Sequence, residues 1–206
     1  MFELEIAILI AIITAFVGPI LVARYNFYLE SKKKKKDPII DSIKSNMLVD
    51  EQLGEIKDEL KSCRVWVSQF HNGGNFYPTG TSIQKFSIFY EHLQPGAKSI
   101  GDTYKNIPVS LFSKPFSDLY ENKEIIISNY AKEDKFGLSS FSSGTGSKSS
   151  YIFALFSLKE EFIGTLGVEY CSRAKTLNDD QLNYLRDKSI TIGTLLSTYL
   201  YTHIKK

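Results

Sequence analysis

The stretch Phe70-His71-Asn72-Gly73-Gly74 carries the most suggestive chemistry in the chain. It closes a strand-like run and opens onto a segment, Asn75 to Ser82, that holds Phe76, Tyr77 and Gly80. A strand end feeding a glycine-rich loop can aim an imidazole and a carboxamide into a pocket while backbone N–H groups approach a ligand closely. The same residues also suit a plain Asn-Gly turn beside a structurally bonded histidine. Lys85 and Glu91 lie six apart on the next strand-like run, so the period of two puts them on one face. There they could offer a cation and a carboxylate to a polar ligand, although an exposed strand face explains them equally well. Phe86 and Tyr90 suit packing better than ligand contact. The candidate ligand site is therefore Phe70, His71, Asn72, Gly73, Phe76, Tyr77, Lys85 and Glu91.

Catalytic chemistry finds less support. The segment Gly144-Thr145-Gly146-Ser147-Lys148-Ser149 approaches a phosphate loop, but that motif needs a glycine where Phe141 stands. His71, His92 and His203 are isolated, and neither a zinc-protease helix motif nor a serine nucleophile elbow occurs. No catalytic or metal-ligating residue is assigned, and no cofactor is identified. The two cysteines, Cys63 and Cys171, have neither the number nor the spacing of a thiolate metal site or a stapled scaffold, and they fit a reducing compartment.

The elements that must position these groups follow from periodicity. Asp37-Pro38 can start a helix, and Ile39, Ile43, Met47, Leu53, Ile56 and Leu60 extend it to about residue 62, with an interruption conceivable at Gly54. Strands are expected at Arg64 to Phe70, Lys85 to His92, Glu124 to Ser128, Ser150 to Leu158 and Glu161 to Tyr170, the last two as a hairpin about Lys159-Glu160. Between the second and third, Ser110 to Asn122 has helical spacing, with a start at Pro115. Ser139 to Ser150 is a Ser/Gly-rich flexible loop by composition. Asn178 and Gln181 form a capping box for a final helix with Leu182, Leu185, Ile192, Leu195, Leu196 and Tyr199 on one face.

The chain of 206 residues has room for one domain and an additional segment. That segment is apolar: Ile6 to Ala23 gives 18 residues without a charge, enough to cross a bilayer core. Glu3 and Glu5 precede it, unlike the basic start of a cleaved signal peptide. Arg24, Tyr25 and Tyr28 follow at headgroup depth, then Lys32, Lys33, Lys34, Lys35 and Lys36. Aromatic rings and a lysine cluster mark the side kept in the cytoplasm, so the N-terminus is expected outside and the remainder inside. The first 36 residues carry a net +3 and the remaining 170 a net −1, so the overall +2 reflects the membrane-proximal cluster. Contact with anionic lipid suits that cluster better than nucleic acid does.

The order α, β, β, α, β, β, β, α with long flanking helices resembles a GAF domain, a small-molecule sensor module related to PAS. The likeness is carried by the Pro115 helix, the strand at Ile125 to Ser128, the hairpin through Phe162-Ile163-Gly164-Thr165-Leu166-Gly167-Val168, and Leu177-Asn178-Asp179-Asp180 opening the last helix. It spans roughly residues 38 to 203. Phe70-His71-Asn72-Gly73 with Gly80, Lys85 and Tyr90-Glu91 is similar to a narrower set of GAF-like proteins, of unassigned role, from phages and bacteria. The resemblance implies an α+β fold, with a central antiparallel sheet between long terminal helices after one transmembrane helix. It implies a sensor or binding role, with a homodimer through the terminal helices and an unidentified small ligand or partner protein. The competing reading is a membrane-tethered interaction module, phage-encoded or accessory, with a vestigial pocket. A His71-dependent enzyme ranks behind both.

Overall fold

The structure, a computed structural model, describes residues 2, 5–6, 11, 13–32, 38–76, 78–133 and 135–202. It divides into two units, residues 1–40 and 41–206. In the first, a π-helical turn at Ile13–Val17 precedes helix α1, Gly18–Lys32. Phe16, Ile20, Leu21, Val22, Tyr25, Phe27 and Tyr28 are all exposed there. The apolar run expected to cross a bilayer lies partly outside the described residues. Among those that are described, no helix is long and apolar enough to cross a membrane. Lys33, Lys34, Lys35, Lys36 and Asp37 also lie outside them, as do Tyr77 and His203.

The second unit is built on a six-stranded antiparallel sheet of order β3-β2-β1-β6-β5-β4. Its strands are β1 (Arg64–Asn75), β2 (Ser82–Leu93), β3 (Ile107–Pro108), β4 (Glu124–Ile127), β5 (Ser149–Phe156) and β6 (Phe162–Tyr170). Helix α2 (Pro38–Leu60) passes Gly54 without a break. Together with the last helix, α5 (Asp179–Thr202), it covers one face of the sheet. Val49, Leu53, Ile56 and Leu60 of α2 and Leu185, Ile192 and Leu196 of α5 bury there against Val65, Val67, Tyr151, Phe153, Leu155, Leu166 and Val168. Period-four apolar spacing on the helices meets period-two alternation on the strands, so both patterns are spent on one core. Helix α5 lies so close to β5 that a Cβ at Gly193 would stand 2.4 Å from the Phe156 carbonyl oxygen. The expected capping box is present: Gln181 N–H donates to Asn178 Oδ1 at 2.9 Å, and Asn178 N–H to Gln181 Oε1 at 3.2 Å.

The opposite face is covered by a 3₁₀ turn at Val109–Phe112 and helix α3 (Ser113–Asn122), which starts two residues before Pro115. Within the loop expected at Ser139 to Ser150, residues Leu138–Thr145 instead form helix α4. Local composition missed it because serine favours caps and turns only weakly over helix, and Leu138 gains its place by burial. Gly146 at φ +78° ends α4 in the left-handed conformation that suits glycine.

The two cysteines, which suited a reducing compartment by their number and spacing, are bonded to each other. Arg64 pairs directly with Glu169 in the β1–β6 register, which brings the ends of both strands together, and Cys63 and Cys171 form a disulfide with Cα atoms 5.9 Å apart. Their separation of 108 residues hides this from any local reading.

Candidate functional site

The Asn72-Gly73 turn does not occur, because β1 continues to Asn75 and the chain reverses afterwards, where Gly80 N–H donates to the Phe76 carbonyl. Asn72 is exposed opposite Gln84, and Phe76 is exposed at the hairpin tip. Gly73 lies under the aliphatic part of Lys85, whose flexible chain would have to move aside for an added Cβ. His71 Nε2 is 2.9 Å from Ser87 Oγ, and that hydroxyl also accepts from Asn106 N–H. Phe70 turns inward, edge-on to Phe116 and Phe162 with centroids at 5.1 and 4.8 Å.

Lys85 and Glu91 do not share a face. The β1–β2 register slips by one residue at Phe89, so Lys85 stands opposite His71 whereas Glu91 stands opposite Trp66. One bulged residue reverses the parity of everything beyond it. Glu91 instead fixes the connection after β2, accepting from Ser99 Oγ at 2.5 Å and Ile100 N–H at 2.9 Å. His71 and Glu91 line one open surface groove, which none of the other described candidates lines.

A better-lined pocket exists elsewhere. A cavity of about 80 Å³ lies between the sheet and helices α3 and α4. Trp66, Phe86, Ile88 and Ile152 form its floor, Phe116 and Leu119 its α3 wall, and Leu138, Ser142 and Thr145 its α4 wall. Ile100 and Tyr104, from the connection that Glu91 holds, close one side.

One end of the cavity is polar. Glu169 Oε2 accepts from Arg64 Nε at 2.9 Å and Nη2 at 2.6 Å, and from the Ser147 hydroxyl; Oε1 accepts from Trp66 Nε1 at 3.1 Å. Arg64 also donates to the Lys98 and Thr145 carbonyls, so the guanidinium ties the ion pair to the end of α4. It is wholly buried, and a charge so placed requires such compensation. Alongside, Ser68 and Thr165 hydroxyls are 2.7 Å apart. Gly167, directly opposite Trp66, leaves room for the indole: a Cβ there would come within 2.1 Å of the ring. Burial pushes the Tyr104 phenol up to about 12, with the Glu169 carboxylate adding to the rise and Arg64 opposing it.

Sequence reasoning passed over Arg64, Trp66, Tyr104, Ser147 and Glu169. A signal was present: Glu169 is the one charge in the apolar β6 run, and Arg64 and Trp66 share a parity on β1. Among the described residues no group of three His, Cys, Asp or Glu side chains could hold a metal ion.

No protein-family model matches the chain, and no curated protein matches its sequence. Solved structures do. The phycocyanobilin-bound GAF domain of a cyanobacterial phytochrome is similar at 17% identity, over 81% of this chain and 92% of that one, with a TM-score of 0.64. A Synechocystis GAF domain in its photoproduct state is similar at 12% identity, over 79% and 99%, TM-score 0.61. The blue-light-absorbing PixJ GAF domain of Thermosynechococcus elongatus is similar at 10%, over 79% and 90%, TM-score 0.61. These likenesses establish a GAF-like α+β fold.

Proposed function

We propose that this GAF-like fold serves as a membrane-anchored binding or sensor module, whose ligand seat is the cavity between the sheet and helices α3 and α4. The observation that carries the reading is the cavity's construction: a mostly aromatic and aliphatic lining that ends at the buried Arg64–Glu169 pair. Sites of this make-up orient small molecules by a few polar groups in an apolar enclosure. At about 80 Å³ the cavity is smaller than the roughly 300–1,000 Å³ typical of sites for drug-sized ligands. A monocyclic, uncharged compound suits the space and the aromatic walls.

The anchor is the run Ile6 to Ala23, supported by its length without charge and by the exposed apolar side chains of α1. The lysine cluster favours a cytoplasmic domain. Exposed Ile43, Met47 and Leu48 on α2 favour a homodimer through the terminal helices, since amphipathic helices seek a partner for such a face. Any output would pass through those helices or a partner.

A thermal-shift screen of the full chain in detergent against small aromatic and heterocyclic compounds tests the ligand seat. Stabilisation should grow with concentration, reaching about 2.7 kcal/mol at a hundred times Kd. The second reading, an interaction module with a vestigial pocket, draws on the complete internal bonding of Glu169. It is favoured if no compound stabilises the chain and partner capture survives Phe116→Trp, which fills the cavity.

A further inference from the structure

A second cleft, of about 280 Å³, opens onto the Cys63–Cys171 disulfide on the far side of the ion pair from the cavity. Three cations line it, Lys61, Arg173 and Lys175, and no carboxylate among the described residues does. Cys171 is partly exposed, whereas Cys63 is buried. Arg64 Nη2 lies 3.9 Å from Cys171 Sγ, so the group that holds Glu169 also touches the disulfide.

We infer that this cleft is a thiol–disulfide exchange site for a small anionic thiol, a peptide thiol bearing free carboxylates, and that the Arg64–Glu169 pair registers its redox state. Lys175 is already spent on the Leu60 carbonyl at 2.7 Å, so Lys61 and Arg173 are the cations that attract carboxylates to the cleft and favour thiolates within it. The incoming thiolate attacks the accessible Cys171 sulfur. A bond forms between the two sulfurs as the Cys63–Cys171 bond breaks, and Cys63 leaves as a thiolate that is protonated by water. A second thiolate attacks the external sulfur of the mixed disulfide and departs as the oxidised small disulfide, releasing Cys171 as a thiolate beside Arg64. Two thiols are oxidised and one protein disulfide is reduced, so electrons balance, and the reverse sequence restores the bond.

The compartment argument rests on the cytoplasmic placement proposed above: disulfides in that setting are transient and exchanging. The chemistry of the cleft does not depend on it. Reduction removes the covalent link between the start of β1 and the end of β6, and leaves a thiolate to compete with Glu169 for Arg64. The cavity's polar end therefore changes with the redox state.

The test uses the full chain in detergent, with reduced glutathione and neutral 2-mercaptoethanol compared at equal thiolate concentration. Protein thiols are counted by maleimide gel shift, and the emission of Trp66, the chain's single tryptophan, is followed in parallel. Glutathione should react about tenfold faster, the scale of a few screened charge contacts, with rates proportional to thiol concentration. Lys61→Gln/Arg173→Gln should slow glutathione more than 2-mercaptoethanol and so remove most of that advantage. Trp66 emission should shift as the bond is reduced. Equal rates for both thiols, rates independent of thiol concentration, or an emission spectrum indifferent to reduction would each overturn the inference, and none bears on ligand binding in the cavity.

Discussion

Arg64 and Glu169 stand directly opposite each other on adjacent strands, with Nη2 2.6 Å from Oε2 and the guanidinium wholly out of water. Breaking such a pair from one side leaves a buried charge uncompensated, which costs far more than the pair contributes. Glu169→Gln should lower stability in urea unfolding by about 3–5 kcal/mol. Arg64→Met combined with Glu169→Leu should be less destabilised than Glu169→Gln alone. A double variant whose loss equals the sum of the two single losses would contradict this account.

Gly167→Ala inserts a methyl group at 2.1 Å from the Trp66 ring, and the indole is held in place by its bond to Glu169 Oε1. Overpacking of this kind costs about 1–3 kcal/mol. Trp66 emission should move with it, since the ring must leave Glu169 Oε1 to make room. Unchanged emission with unchanged stability would refute the packing argument.

The Tyr104 phenol, held up to about 12 against an ordinary 10.0, makes stability depend on alkaline pH. Below pH 10 both folded and unfolded states keep the proton and the contribution is full. Between 10 and about 12 only the unfolded state releases it, so stability falls as pH rises, and the contribution is gone above the folded value. Denaturation series across that range should show a shallower alkaline decline for Tyr104→Phe. An identical slope in both proteins would exclude the effect.

Asn178→Ala should cost about 1 kcal/mol through loss of the α5 cap. Amide exchange should then quicken at Gln181, whose N–H loses its acceptor. Retained protection there would show that another group caps the helix.

The capping box at Asn178 and Gln181 and the five main strands were legible because each depends on neighbours within a few residues. The candidate ligand site was not. A single bulged residue at Phe89 separates Lys85 from Glu91, and no local pattern announces it. The ion pair and the disulfide join positions more than a hundred residues apart, which only the β1–β6 register brings together. Helix α4 was hidden by its serines, whose local preference yields to the burial of Leu138 over the cavity.

Gly193 limits how the long helix α5 can move. With room for only a hydrogen atom between it and the Phe156 carbonyl, axial travel in either direction would bring the side chain of Ser189 or Ser197, one turn away on the same buried face, toward that oxygen. The contact acts as a fulcrum. It blocks sliding but lets the helix tilt, so a small displacement of the sheet near β5 would be delivered at the two ends of α5 as a swing.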